Sequence, residues 1–568
     1  MSDQRFDPVS LEILWSRLIN VTEECWITIH RAAFSMIIGE AQDFGCELMD
    51  ARGETLAHSP RSMPVFNLTL PRAVKALLGY FPPETLEEGD VLITNDPWIC
   101  AGHLFDVAVV TPVFQGGGIV GLVGSIAHCS DIGGTRATMS VREIYEEGLQ
   151  IPPMKLYRRG EPNDDLLRLV RQNVRSEEMV LGDIHAQVGA NGVAAERLVA
   201  FMHEYGLDDL SELAAVVQDR AEQAMREAIA AVSDGEYAGA AGFDGLGEPM
   251  ELPVRVVVEG DEITVDWSGA PDQLERGGIN CTLSYTEAHT AYALKCILTP
   301  EVPSNAGCFR PIRVVAPEGS ILNCRYPASV NQRTVTGWAC APAVFGALAE
   351  ALPDGVQAFT GLPMGAGAYG RDAEGRTFND HLFQGGGQGA SAHGDGKSAV
   401  LFPTSAANTS VEMFETRTPL LVERKELIPD SGGAGHHRGG LGQRVQVRKA
   451  DDRGGPALMG IHPQGMLVDI PGLFGGRPGR RTGVRLEEDG TVAENEDLGS
   501  LVELRRASQL LTIELAGGSG YGDPDERSVE SVQADLDAGL ISAEGARAYG
   551  CEVDVSGKVR RTSGERLE

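Results

Sequence analysis

Apolar side chains at Leu11, Leu14, Leu18, Val21 and Cys25 recur with the spacing of one helical face, and predict a helix within residues 9–38. The pattern then changes. Residues 104–128 read as strand, turn, strand, with no Asp, Glu, Lys or Arg from Val107 to Ser130. Pro112 and the run Gly116 to Gly118 break that stretch too often for a membrane-spanning helix. Helical periodicity returns between Asp208 and Val232 and stops at "SDGE". Strict alternation follows: Val254, Val256 and Val258, a turn at "EGDE", then Ile263, Val265 and Trp267, which predicts a hairpin. Beyond residue 300 the chain is punctuated by Gly and Pro, with a short helix at "AVFGALAEAL" and a helical tail N-capped by Ser528. The fold class expected is α+β (mixed) and multi-domain, with short Gly-rich strands and a helical/β N-terminal region. Soft boundaries divide it into residues 1–240, a β-rich 241–360, and a Gly-rich 361–568 with the helical tail.

Composition sharpens this picture at three points. The 70 glycines among 568 residues imply many tight turns and close backbone approaches. A formal charge of −33 repels phosphate backbones and anionic membranes, so neither nucleic acid nor a membrane is an expected partner. The 10 cysteines include no C-x-x-C pair, which argues against a zinc ribbon or disulfide framework and for buried reduced thiols. The opening "MSDQRFDPVSLEILWSRL" shows no signal peptide, and a cytoplasmic protein is expected.

Familiar chemical motifs fail on context. "GAGAYG" at Gly365 to Gly370 has nucleotide-loop spacing but is followed by "RDAEGRTF", which is no helix. "GDGKS" around Lys397 has Ser391 where a P-loop requires glycine. No G-x-S-x-G or S-x-x-K occurs. Cys100 and Cys129 are candidate thiolates, although free Cys is usually a small buried hydrophobe. What stands out is a His-x-x-Asp doublet, His103/Asp106 and His128/Asp131, at the two ends of the uncharged strand pair. Imidazole and carboxylate are ligands for Zn, Mn or Fe, and a divalent ion removes the cost of burying acids beside an apolar sheet. Asp-capped turns with hydrogen-bonded His are the alternative. Spacing alone leaves both open.

The blocks "SMIIGEAQDFGCELMDARGETLAHS", "NDPWICAGHLFDVAVVTPVF", "AHCSDIGG", "EIYEEGLQIPPMKLYRRGE", "NVRSEEMVLGDIHAQVGAN", "DSGGAGHHRGGLG" and "GGSGYGDPDERSVESV" resemble, in order, those of the hydantoinase B/5-oxoprolinase family. The resemblance runs from about residue 6 to residue 550. It implies a B-type, metal-site subunit of an ATP-dependent hydrolase of hydantoin, 5-oxoproline or a lactam. ATP would be bound by an A-type, ATPase-fold partner subunit. It also implies Asp43, His103, Asp106 and His128 as metal ligands, with Asp131 as an alternate ligand or neighbour.

On this reading Asp131 or Glu146 is a candidate proton acceptor. Arg142 and Arg175 are candidates for neutralising phosphate or a substrate carboxylate, surface ion pairing being their plainer role. Phe66 stands where many relatives carry histidine, and His393 is unusual in its glycine block. A ketone carboxylase of the acetone or acetophenone type, or a non-catalytic scaffold subunit, are the alternative functions.

Overall fold

The computed structural model describes residues 6–136, 138–494 and 500–562. The chain packs as two units, Met1–Glu236 with Arg255–Gly337, and Tyr237–Val254 with Trp338–Glu568. The sequence segment 241–360 is therefore shared, residues 255–337 packing in the first unit and its two ends in the second. Helices and antiparallel sheets mix in both, as the sequence leads one to expect. Among the described residues no helix is long and apolar enough to cross a membrane.

A seven-stranded antiparallel sheet organises the first unit. Its strands are β1 (Phe44–Asp50), β2 (Thr55–His58), β3 (Val91–Thr94), β4 (Asp106–Gln115), β5 (Gly118–His128), β6 (Met154–Arg158) and β7 (Glu161–Pro162), in the order β2-β1-β5-β4-β3-β6-β7. Gly116 and Gly117, with φ of 61° and 85°, make the tight turn between β4 and β5. Positive φ at both positions matches the twist of the flanking strands and is open to glycine at little cost. A bulge between Val113 and Phe114 then shifts the register by one residue, and this pairs Asp106 with His128 at the far end of the hairpin.

Helix Pro8–Ala32 begins where the Asp7 carboxylate accepts from the amides of Val9 and Ser10, and it buries Leu11, Leu14, Leu18, Val21 and Cys25. The predicted helix continues to residue 38 only after a break, because Ala33 is extended and Ser35 caps a separate turn, Met36–Gly39. Helix Glu177–Tyr205 packs on helix Pro8–Ala32 and on β4 and β5. Its Val180 and Ile184 join Val107 and Val109 in one apolar cluster. The predicted hairpin is present, with Val256 opposite Val265, and Ile312–Val315 adds a parallel strand beside it.

A loop at 328–333 is pinned to the first unit by Glu147, whose Oε1 accepts from the amides of Val330 (2.6 Å) and Asn331 (3.0 Å). Burial pushes this carboxyl up to about 7, against the pull of the two amides.

The second unit holds a four-stranded sheet (Thr377–Gln384, Met364–Arg371, Ala457–Gly460, Leu501–Leu504) and a five-stranded one (Leu420–Leu427, Gln443–Lys449, Leu510–Glu514, Gly483–Glu488, Thr491–Glu494). "GAGAYG" lies inside strand Met364–Arg371, not at a strand-to-helix turn. The glycine-rich loops share a run of backbone hydrogen bonds: Gly361 to Gly387, Gly387 to Ala516, Gly433 to Gly518, Gly518 to Gly440 and Gly440 to Gln388. A Cβ on Gly517 would sit 1.8 Å from the Ser431 carbonyl oxygen. The tail helix Val529–Asp537 starts at Ser528, whose side chain accepts from the Ser531 amide.

Two predictions follow from these contacts. Gly517→Ala should destabilise the second unit by more than the ~1–3 kcal/mol usual for overpacking, because backbone cannot yield as a side chain can. Gly483→Ala, with nothing within 4 Å of its Cβ, should change stability by less than about 1 kcal/mol; chemical denaturation of both variants checks the contrast. Glu147 is one pH-sensitive site. Since its folded value of about 7 lies above the ordinary 4.5, burying it costs little below about pH 4.5 and progressively more as pH rises to 7. The full cost is about 3 kcal/mol. Glu147→Gln should therefore flatten the fall in stability between pH 5 and pH 8, measured by urea unfolding across that range.

Candidate metal centre

Local structure brings four of the predicted residues to one end of the β4–β5 hairpin. Asp106 opens β4 and His128 closes β5, directly opposite one another. Phe44 pairs with Ala127, so β1 delivers Asp43 alongside, and the Asp43 carbonyl accepts from the His128 amide at 3.1 Å. His103 sits in the turn that enters β4. The two imidazole centroids are 5.0 Å apart.

His103 Nε2 lies 2.8 Å from Asp106 Oδ1, His128 Nδ1 lies 3.2 Å from the same oxygen, and Asp43 Oδ2 is 3.9 Å from His128 Nδ1. Donors around one tetrahedral ion with bonds near 2.0–2.1 Å stand roughly 3.3 Å apart, so these separations bracket what one cation requires. Among the described residues, the donor atoms of His103, Asp106 and His128 all lie within 4.8 Å of one another, and Asp43 stands at the rim of that set.

Protonation supplies the sharper test. His103 Nδ1 lies 3.4 Å from the Asn331 carbonyl oxygen. A carbonyl only accepts, so Nδ1 carries the proton and Nε2 keeps its lone pair. Burial, then the Arg333 cation, lower the His103 pKa to about 4, so the ring is neutral near pH 7. Nε2 is buried and makes no hydrogen bond, yet it lies 2.8 Å from a carboxylate oxygen. Two lone pairs facing across that gap repel, and a cation between them turns repulsion into coordination. The donor set fits a divalent metal.

Charge in the site is balanced by a residue that belongs to no sequence motif. Arg333, 4% exposed, donates through Nη2 to Asp106 Oδ2 at 2.5 Å and through Nε to the Ala101 carbonyl at 2.6 Å. Its guanidinium lies 4.3 Å over the Tyr285 ring. Burial pushes the Asp106 carboxyl up, but the Arg333 cation bonded to it pulls the other way and helps hold it below the usual carboxylate range. At Asp43 burial outweighs the pull of His128 and Arg333 and raises the carboxyl to about 6. One signal for Arg333 was present in the sequence: it is the sole Asp, Glu, Lys or Arg between Arg325 and Glu350.

The remaining candidates are held in other bonds. Asp131 accepts from the Gly133 amide at 3.2 Å and from Arg175 Nη1 at 2.9 Å, while Arg175 also reaches the carbonyls of Gly133 and Gly134. The pair clamps a turn. Glu146 is exposed and accepts from the backbone amides of Arg142 and Glu143, forming a capping box, and the Arg142 side chain is exposed. None of the four joins the His103, Asp106 and His128 group. Burial pushes the Cys100 and Cys129 thiols far up, so neither offers a thiolate near neutral pH. All ten cysteines are free. Phe66 is buried in helix Pro64–Tyr80, and His393 lies 2.9 Å from the Asp354 carbonyl in the second unit.

The chain is also similar to known proteins over most of its length. Residues 7–524 match the pattern described as Hydantoinase B/oxoprolinase. Caprolactamase subunit beta of Pseudomonas jessenii is 30% identical over 97% of this chain and 97% of its own. The crystal structure of the ATP-dependent caprolactamase from Pseudomonas jessenii superposes with a TM-score of 0.88 at 28% identity, covering 98% of both chains. A nucleotide-free acetone carboxylase structure gives the same TM-score at 18% identity, over 99% of this chain and 82% of that one, a likeness of fold alone. With a match over most of its length, this chain belongs to the hydantoinase B/oxoprolinase family.

Proposed function

We propose that this chain is the metal-site subunit of an ATP-dependent hydrolase that opens a cyclic amide (a hydantoin, 5-oxoproline or a lactam), working with an ATP-binding A-type subunit. The observation that carries the reading is the buried His103 Nε2 lone pair facing Asp106 Oδ1, with His128 and Asp43 beside them. The Pseudomonas jessenii relative, a subunit by name and a caprolactamase by activity, supports both the substrate class and the need for a partner.

His103, Asp106 and His128 would hold the ion, Zn, Mn or Fe, with Asp43 completing the set. Such an ion would supply Lewis acidity toward a carbonyl and would acidify water. The protein's own part is electrostatic and positional. Asn331 holds the His103 tautomer that points a lone pair inward. Arg333 keeps Asp106 ionised and leaves Oδ1 free to face the two imidazoles. Phe105 stacks on the His128 ring, 5.2 Å between centroids, and fixes its plane. A ring amide is a poor electrophile, and ATP chemistry on the partner would activate its oxygen before water attacks.

A ketone carboxylase remains a second reading because the acetone carboxylase fold is shared. The purified chain, its A-type partner, ATP and a hydantoin or lactam decide the matter. Open-chain product without bicarbonate supports hydrolysis. ATP turnover that needs a ketone and bicarbonate would replace it with carboxylation.

Removing metal with a chelator should abolish ring opening, and adding back Zn, Mn or Fe singly should restore it with the native ion. His103→Ala should lower bound metal from about one to near zero per chain by elemental analysis, and cut the rate at least ~100-fold while the two subunits still assemble. Loss of assembly instead would favour the scaffold role. Arg333→Met keeps side-chain length and removes the charge. In metal-free protein it should cost about 3–5 kcal/mol, the usual penalty for orphaning a buried carboxylate. Added metal should recover part of that loss, which paired thermal melts would register.

A further inference from the structure

The first unit contains a cavity of about 480 Å³, lined from β1, β2, helix Pro64–Tyr80, helix Leu283–Leu298 and the segment 304–314. None of its lining residues belongs to the metal group. Glu47, on its wall, is four residues along from Asp43, or roughly 13 Å at the rise of an extended chain.

The chemistry of the buried end is unusual. Glu47 is fully buried. Its Oε2 accepts from Thr55 Oγ1 at 2.9 Å, while Oε1 has no hydrogen-bond partner. Burial raises this carboxyl well above the ordinary range, so it is a neutral acid that can both donate and accept. Beside it the Asn67 amide nitrogen bonds to His58 Nδ1, and the Asn67 amide oxygen is buried without a partner. Burial also lowers His58 to about 4, leaving a neutral ring. The buried end therefore presents donors and acceptors but no net charge.

Charged residues at the wider part are already matched. Arg72 pairs with Glu287, Lys75 with Glu54 at 2.8 Å, and Arg310 with Glu222 at 2.9 Å. An ion entering the cavity would meet paired charges and a neutral floor, so charge gives it no advantage. Unpartnered buried polar atoms cost about 1–3 kcal/mol each, a cost that a ligand supplying both hydrogen-bond senses removes. A volume of this size holds a small molecule.

We propose that this cavity is a second ligand site, selective for a small uncharged amide that pairs its N–H and C=O with the Glu47 carboxyl and the Asn67 amide. The assignment stands on the cavity and not on the reaction at the metal group.

Calorimetric titration of the full chain tests it, with 2-pyrrolidinone as the probe and cyclopentanone, which lacks the N–H, as its comparator. The protein is used as wild type and as His103→Ala, so that binding at the metal group is separated from binding here. The expected result is a 2-pyrrolidinone site retained in His103→Ala, at least tenfold weaker for cyclopentanone, and at least tenfold weaker in Glu47→Leu. Thr55→Val, which removes only the hydroxyl orienting Glu47, should weaken it about threefold or more and serves if Glu47→Leu does not fold. Absence of 2-pyrrolidinone binding in His103→Ala would overturn the proposal. So would equal binding of the two probes, or binding indifferent to Glu47→Leu or, where that variant fails, to Thr55→Val. Failure of the cyclic-amide hydrolase reading would leave these outcomes unchanged.

Discussion

The first unit is arranged around one buried carboxylate. Asp106 has no exposed surface, and it meets His103, His128 and Arg333 on its two oxygens. An isolated carboxylate in such surroundings would take up a proton, because burial alone costs several kcal/mol. Here the guanidinium claims one oxygen and the imidazoles face the other. Strand register, the Gly116–Gly117 turn, the Glu147 tether and the stacked Tyr285 ring all bear on that arrangement.

The second unit obeys a different constraint. Its glycine-rich loops lie backbone against backbone, with carbonyl oxygens where a side chain would otherwise project. Glycine is required there by close approach, mostly without a left-handed conformation. Ion pairs then fasten the tail: Arg527 bridges Asp395 and Asp535, and Arg438 reaches Asp535 as well. With every charge in that network matched, it reads as a fastening between the glycine layers and the C-terminal helix.

How far the sequence disclosed this differs by element. The strand pair around the metal group was legible because an uncharged run, a glycine turn and two flanking His-x-x-Asp groups coincide within thirty residues. Asp43 came only through family resemblance, since its strand joins the pair from sixty residues away. Helix Glu177–Tyr205 escaped notice for a physical reason. Its buried face carries Asp183, Gln187 and Asn191 at four-residue spacing, and these bond to the Phe34 amide, the Ser125 hydroxyl and the Val109 carbonyl. A polar stripe that is buried because it is hydrogen-bonded erases the apolar periodicity used to find helices. Arg333 was hidden by distance, lying 227 residues beyond the aspartate it neutralises. Asp131, Glu146, Arg142 and Arg175 had the right types for chemistry, but the first and last clamp a turn and the other two lie at a cap.

The discontinuity of the first unit orders events on the ribosome. Residues 1–236 leave the exit tunnel with Asp106 and both imidazoles in place, but their counter-cation and the strand Ile312–Val315 follow only after an excursion through Tyr237–Val254. The nascent chain therefore carries an unneutralised acid in its prospective interior for roughly the length of a small domain, about 10–45 s at typical elongation rates of 5–20 residues per second. Closure of the unit around Asp106 therefore waits for Arg333, made long after the strands that flank the acid.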